Sequence, residues 1–170
     1  MLKKNAFTLI EFLVVMFVIS TLASVSLVKY RNSQKKYVLS GAVQELIAEL
    51  RNVQNMAMQG TEMEGKCDIN NECSGYGVYI NKNNDFYLVF SNKNPNQSWQ
   101  PSDIEIKRIS LPTNIKFGSY PNKVSIYFES PYSTGYIDGN SNNTNTTITL
   151  EYEGTSLTKT ISVTSAGLIE

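Results

Sequence analysis

Apolar residues open the chain as one continuous run. From Phe7 to Val28 the sequence reads FTLIEFLVVMFVISTLASVSLV, 22 residues with a single charge, Glu11. Coiled as a helix, this run is about 33 Å long, close to one hydrocarbon thickness. Beyond it the apolar positions thin out but keep a helical period. Leu39, Val43, Leu46, Leu50, Val53 and Ala57 recur at spacings of three and four, with Gln44, Glu45, Glu49, Arg51 and Asn52 between them. Gly60 is placed to cap the C-terminus. The pattern predicts one helix from about Phe7 to Gln59, apolar all round in its first half and on one face in its second.

From Gly75 onward the period changes to two. Tyr76–Ile80, Phe86–Phe90, Ile104–Ile109, Val124–Phe128, Thr146–Tyr152 and Leu157–Val163 read as strands, separated by stretches rich in Asn, Gly, Pro and Ser. Asn81–Asp85 and Glu153-Gly154-Thr155 have the composition of hairpin connections. No internal repeat is present, so the chain is not a solenoid. One long helix followed by some six antiparallel strands is an α+β order with the two kinds of element segregated. The apolar stripe of the second half of the helix is expected to be core against that sheet.

Composition narrows the chemistry. A length of 170 residues suits one domain with at most one appendage. Aromatic residues make up 11 % of the chain, enough to fill a core, which argues against disorder. There is no histidine, which excludes Ser-His-Asp and Cys-His catalysis and every His-containing zinc site. Two cysteines cannot build a four-thiolate metal site. Fifteen basic and fifteen acidic side chains cancel, removing the usual electrostatic argument for non-specific nucleic-acid binding.

The apolar run admits three readings: a cleaved secretory signal, a plain membrane anchor, or a segment that requires Glu11. It is longer than a usual signal core and lacks a convincing peptidase site, although Ala23-Ser24 has small side chains. A plain anchor leaves Glu11 unexplained. An acid at membrane depth costs roughly 2.5–3.5 kcal/mol on insertion scales, and by default marks a function or a partner. The bland alternative is a Glu11 seated at headgroup level.

The residues around Glu11 favour the third reading. Lys3-Lys4-Asn5-Ala6, then Phe7-Thr8-Leu9-Ile10-Glu11, then the apolar run, resemble the leader and stem of type IV prepilins and type II secretion pseudopilins. The resemblance implies cleavage between Ala6 and Phe7 by a prepilin peptidase, N-methylation of Phe7, and a role for Glu11 in aligning subunits. Ala6 stands where the family usually has Gly. The helix also lacks the proline frequent in major pilins, since the first proline is Pro95. Tyr76-Gly77-Val78-Tyr79, the Phe86–Phe90 strand, Phe128-Glu-Ser-Pro-Tyr132 and the Ile161–Gly167 segment are similar to H-type minor pseudopilins and related minor pilins. The implied organisation is a leader at 1–6, a transmembrane or filament-core helix at 7–28, its amphipathic continuation at 29–60, and a β-rich head at 61–170. The implied fold is α+β, a long N-terminal helix packed on an antiparallel sheet.

Under this resemblance the protein is a single-pass inner-membrane subunit with an extracytoplasmic head. Its partners are the prepilin peptidase and other pilins or pseudopilins. Charge counting opposes this topology, with four basic side chains after the span (Lys29, Arg31, Lys35, Lys36) and two plus the α-amine before it. The leader and the cysteines argue the other way. In an extracytoplasmic head, Cys67 and Cys73 can close a small disulfide loop stabilising by roughly 2 kcal/mol, the alternative being two free thiols.

The remaining motifs carry less. Asp138-Gly-Asn-Ser-Asn142 begins like a calcium loop, but Asn143 and Thr149 occupy the positions that need Gly and Glu. Asp103 and Glu105 share a strand face without further catalytic company, and edge-strand acids commonly act as solubilising charge. No enzyme activity, metal or cofactor is expected. The leading function is a minor structural subunit of a pilus or secretion pseudopilus. The alternative is a minor pilin that binds DNA for uptake. From Tyr37 to Glu170 there are nine Lys/Arg and fourteen Asp/Glu, a balance of −5. Such a head must concentrate its few cations to hold phosphates, and Lys107, Arg108 and Lys116 are the ones that could form a stripe.

Overall fold

The computed structural model describes residues 9–60, 74–92, 97–118, 122–131, 135–138 and 145–170. One helix, α1, runs over Leu9–Gln59. The chain divides into two compact units, Met1–Tyr37 and Val38–Glu170.

The described part of the first unit is helical throughout. Its large apolar side chains are exposed all round, including Leu9, Phe17 and Leu22 at 81, 68 and 65 %. Four hydroxyls within the apolar run turn back on the helix. Ser20 Oγ donates to Met16 O at 2.7 Å, Thr21 Oγ1 to Val18 O at 2.8 Å, Ser24 Oγ to Ser20 O at 2.8 Å, and Ser26 Oγ to Leu22 O at 3.0 Å. Each hydroxyl therefore keeps a hydrogen bond even where no water is available.

In the second unit, α1 from Val38 onward buries one face. Leu39, Val43, Leu46, Leu50, Val53 and Ala57 are all in the core, as the three-and-four spacing predicted, and Ala42 joins them. The helix stops at Gly60, whose φ of 58° is the left-handed value a C-cap requires. The Gly60 amide donates to Ala57 O at 3.2 Å.

Eight strands are present among the described residues: β1 Gly75–Asn81, β2 Phe86–Asn92, β3 Ile104–Ser110, β4 Ile115–Phe117, β5 Lys123–Glu129, β6 Gly135–Ile137, β7 Asn145–Tyr152 and β8 Thr158–Thr164. The six expected strands are all there. Two three-residue strands, β4 and β6, are added, too short to display an alternation. The strands form two sheets, a five-stranded one ordered β3-β2-β1-β5-β6 and a three-stranded one ordered β4-β7-β8. Every pairing is antiparallel. The β1–β2 and β7–β8 connections fall where hairpins were expected, and Gly154 turns the second with a φ of 70°.

Both sheets contribute to one core with the buried face of α1. Tyr76, Val78, Tyr87, Ile126 and Phe128 come from the larger sheet, and Phe117, Ile148, Leu150, Ile161 and Val163 from the smaller. The C-terminus is tied in as well. Ile169 bridges Val163, Arg51 Nη2 donates to Ile169 O at 3.3 Å, and Gln54 Nε2 donates to Gly167 O at 3.3 Å. The fold is thus the pilin-like α+β architecture, an apolar N-terminal helix whose continuation packs on antiparallel sheets.

Candidate functional site

The first unit has the largest exposed apolar surface. A helix with Ile10, Phe12, Leu13, Val14 and Met16 each half or more exposed has no polar side to turn to water. Such a surface needs lipid or other apolar helices around it. Glu11 is the one acidic side chain in this apolar stretch of α1. Ala6 and Phe7, the expected cleavage and methylation positions, lie outside the described residues, as do Cys67 and Cys73.

The cations singled out for phosphate contact do not form a stripe. Lys107 and Arg108 are neighbours on β3 and project to opposite faces, while Lys116 is on β4 of the other sheet. Each is engaged by a carboxylate. Lys107 Nζ lies 3.1 Å from Glu49 Oε2, and Lys116 Nζ 3.4 Å from Glu151 Oε1. Arg108 grips Glu105 with two bonds, Nε to Oε1 at 3.0 Å and Nη2 to Oε2 at 2.9 Å. Its guanidinium also stands 4.4 Å over the Phe86 ring. The Arg108 hydrogen bonds hold Glu105 below the usual carboxylate range.

Asp103 and Glu105 are not drawn into a dyad. Asp103 Oδ2 accepts the Gln100 amide at 2.7 Å, and burial raises its pKa despite that bond. Asp138, at the head of the incomplete calcium pattern, accepts the Ser125 amide at 2.8 Å and so clamps the end of β6 to β5. Among the described residues, no group of three or more His, Cys, Asp and Glu could hold a metal ion.

One feature of the head escaped the sequence reading. The larger sheet has a second aromatic layer on the face away from α1. Trp99 stacks on Tyr79 with centroids 5.8 Å apart and meets Phe90 edge-on at 5.4 Å. Phe90 stacks on Tyr127 at 6.3 Å, and Tyr127 packs against Tyr136 at 6.2 Å. Gly75 and Gly77 clear the space. Gly77 is directly opposite Phe90, and the Tyr127 hydroxyl crowds Gly75. The Trp99 amide donates to Ser125 Oγ at 3.1 Å, holding the 97–103 segment over the sheet. The available signal was the unbroken apolar run Tyr87–Phe90, which marks a strand buried on both faces.

The Prokaryotic N-terminal methylation motif matches residues 1–27. It thus covers Glu11 and most of the apolar run, and stops before the second unit. The motif is that of pilins, which are structural and not enzymes. No curated protein and no solved structure matches the chain.

Proposed function

We propose that this chain is a minor structural subunit of a type IV pilus or type II secretion pseudopilus, of the H type. Prepilin peptidase cuts between Ala6 and Phe7 and methylates the new α-amine. The stem at 7–28 holds the subunit in the inner membrane, with the head outside the cytoplasm, until it bundles with the stems of other pilins or pseudopilins. Glu11 then meets the methylated amine of a neighbouring subunit. The amphipathic segment at 29–60 carries the head at 61–170, which holds a Cys67–Cys73 disulfide.

One observation carries this reading. From Leu9 onward the methylation motif lies on a helix whose apolar side chains are exposed on every side, so this part of the matched segment is also the surface that must find partners. The DNA-uptake alternative draws no support from Lys107, Arg108 and Lys116, each already held by a carboxylate on a head of net negative charge.

Intact mass is the deciding experiment. Protein from cells expressing their own prepilin peptidase should lack Met1–Ala6 and carry one methyl group. A mature chain that keeps Lys3 and Lys4 overturns the proposal.

A further inference from the structure

Four cations follow the apolar run within eight residues of helix. Lys29, Arg31 and Lys36 are exposed and Lys35 is half-buried, all on α1 within the first unit. No acidic residue occurs in the sequence between Phe12 and Gln44. At about 100° per residue, Lys29 and Lys36 share one side of the helix, while Arg31 and Lys35 lie about 200–240° round from Lys29. The charges therefore encircle the helix. A single protein neighbour would need them on one face; a headgroup layer surrounds the helix on all sides.

Two tyrosines strengthen the placement. Tyr30 and Tyr37 are one heptad apart on a third side and are 63 and 76 % exposed. Gln34 Nε2 donates to the Tyr30 hydroxyl at 2.8 Å. Amphipathic rings next to an apolar span sit at headgroup level, with the ring against the acyl chains and the hydroxyl in the polar layer. From Lys29 to Lys36 the helix rises about 10 Å, comparable with the depth of one headgroup region.

We propose that Lys29, Arg31, Lys35 and Lys36 form a collar that binds anionic phospholipid headgroups in the leaflet facing the head. The proposal rests on reading the apolar part of α1 as a stem stored in a bilayer. It also accounts for the charge count that opposes an extracytoplasmic head, because these cations are lipid ligands and not topology signals. Cleavage sharpens the asymmetry. Before it, Lys3, Lys4 and the α-amine stand against the four collar charges; after it, only the amine of Phe7 remains on that side. The collar then becomes the main electrostatic tie to the bilayer, and entry into a filament requires its lipids to be exchanged.

The test uses the full chain reconstituted in bilayers of phosphatidylcholine and phosphatidylglycerol in equal parts. Association of spin-labelled phosphatidylglycerol is compared with that of spin-labelled phosphatidylcholine. Wild type should prefer the anionic lipid, and each cation removed should weaken that preference by up to roughly fivefold at low salt. Replacing all four with Gln should abolish it, and raised salt should suppress it in wild type. The pairs Lys29→Gln/Lys36→Gln and Arg31→Gln/Lys35→Gln should each lose part of the preference, as a ring requires. Equal association of both lipids with wild type overturns the proposal, as does a preference carried wholly by one pair. The intact mass of the same preparation separates the two readings. A chain beginning at methylated Phe7 without lipid preference removes the collar and leaves the pilin role standing. An uncut chain whose preference falls when the four cations are replaced removes the pilin role and keeps the collar.

Discussion

Substituting Gly77 with alanine should destabilise the head by direct overpacking. Gly77 is not among the glycines with positive φ, so alanine fits its backbone and the effect is steric. A Cβ there would stand 2.5 Å from Phe90 Cζ, 2.7 Å from Phe90 Cε1 and 2.8 Å from Ile126 O. Phe90 has no free direction in which to retreat. It is fully buried, with Trp99 at its edge and Tyr127 on its face. Overpacking of this kind costs about 1–3 kcal/mol, and disturbing the aromatic contacts adds about 0.5–1.5 kcal/mol for each pair lost. Alanine returns about 0.4–1 kcal/mol by restricting the unfolded chain. The net expectation is a loss of about 1–4 kcal/mol. Gly41, inside α1 with nothing within 4 Å of its added Cβ, provides the control. There the same substitution should stabilise by about 0.5–1 kcal/mol through helix propensity. Urea unfolding of the full chain in detergent, followed by the emission of the single tryptophan, reads both. Trp99 touches the ring that must move, so Gly77→Ala should also shift its folded-state emission. Phe90→Leu in the Gly77→Ala background should cost less than the sum of the single changes. A Gly77→Ala midpoint matching wild type, or strict additivity with Phe90→Leu, would refute the overpacking argument.

Three further outcomes follow from the proposed role and from the buried phenols. Glu11→Val should be cleaved and inserted normally but enter sheared filaments poorly, because it strands the neighbouring amine at a cost of about 3–5 kcal/mol; wild-type incorporation would make Glu11 a simple interfacial acid. Alkylation of the denatured, unreduced mature chain should label neither Cys67 nor Cys73, whereas labelling of both would rule out the disulfide. Burial pushes the Tyr87 and Tyr127 hydroxyls well above the usual tyrosine range, with Glu45 and Glu49 adding to the first and Glu129 leading the charges around the second. Folded protein thus holds these protons where unfolded chain releases them, so their contribution to stability should be level below about pH 10 and fall above it. Phenolate absorbance for these two should appear only as the head unfolds; their titration in the folded head would contradict the burial.

Local periodicity carried a large part of this protein. The spacing from Leu39 to Ala57 identified the buried face of α1, and Gly60 marked its end, because both depend on residues within one or two turns. The N-terminal methylation motif was legible for the same reason, as a short pattern with fixed spacing. Strands β1, β2, β3, β5, β7 and β8 were legible from alternation. Ile115–Phe117 and Gly135–Ile137 were not, since three residues contain a single alternation and cannot be told from a turn. Partner choice lay further out of reach. Alternation says which side of a strand is apolar, but not that β4, β7 and β8 would leave the main sheet and form their own. Lys107 looked like one of three available cations until the fold brought it to Glu49, 58 residues away. The aromatic layer under Trp99 exists only because the 97–103 segment lies back across β1 and β2, giving the larger sheet a second buried face. A period is set by neighbours along the chain, through helix and strand geometry. Which faces meet is decided by how distant residues share one volume, and that is a property of the packed head alone.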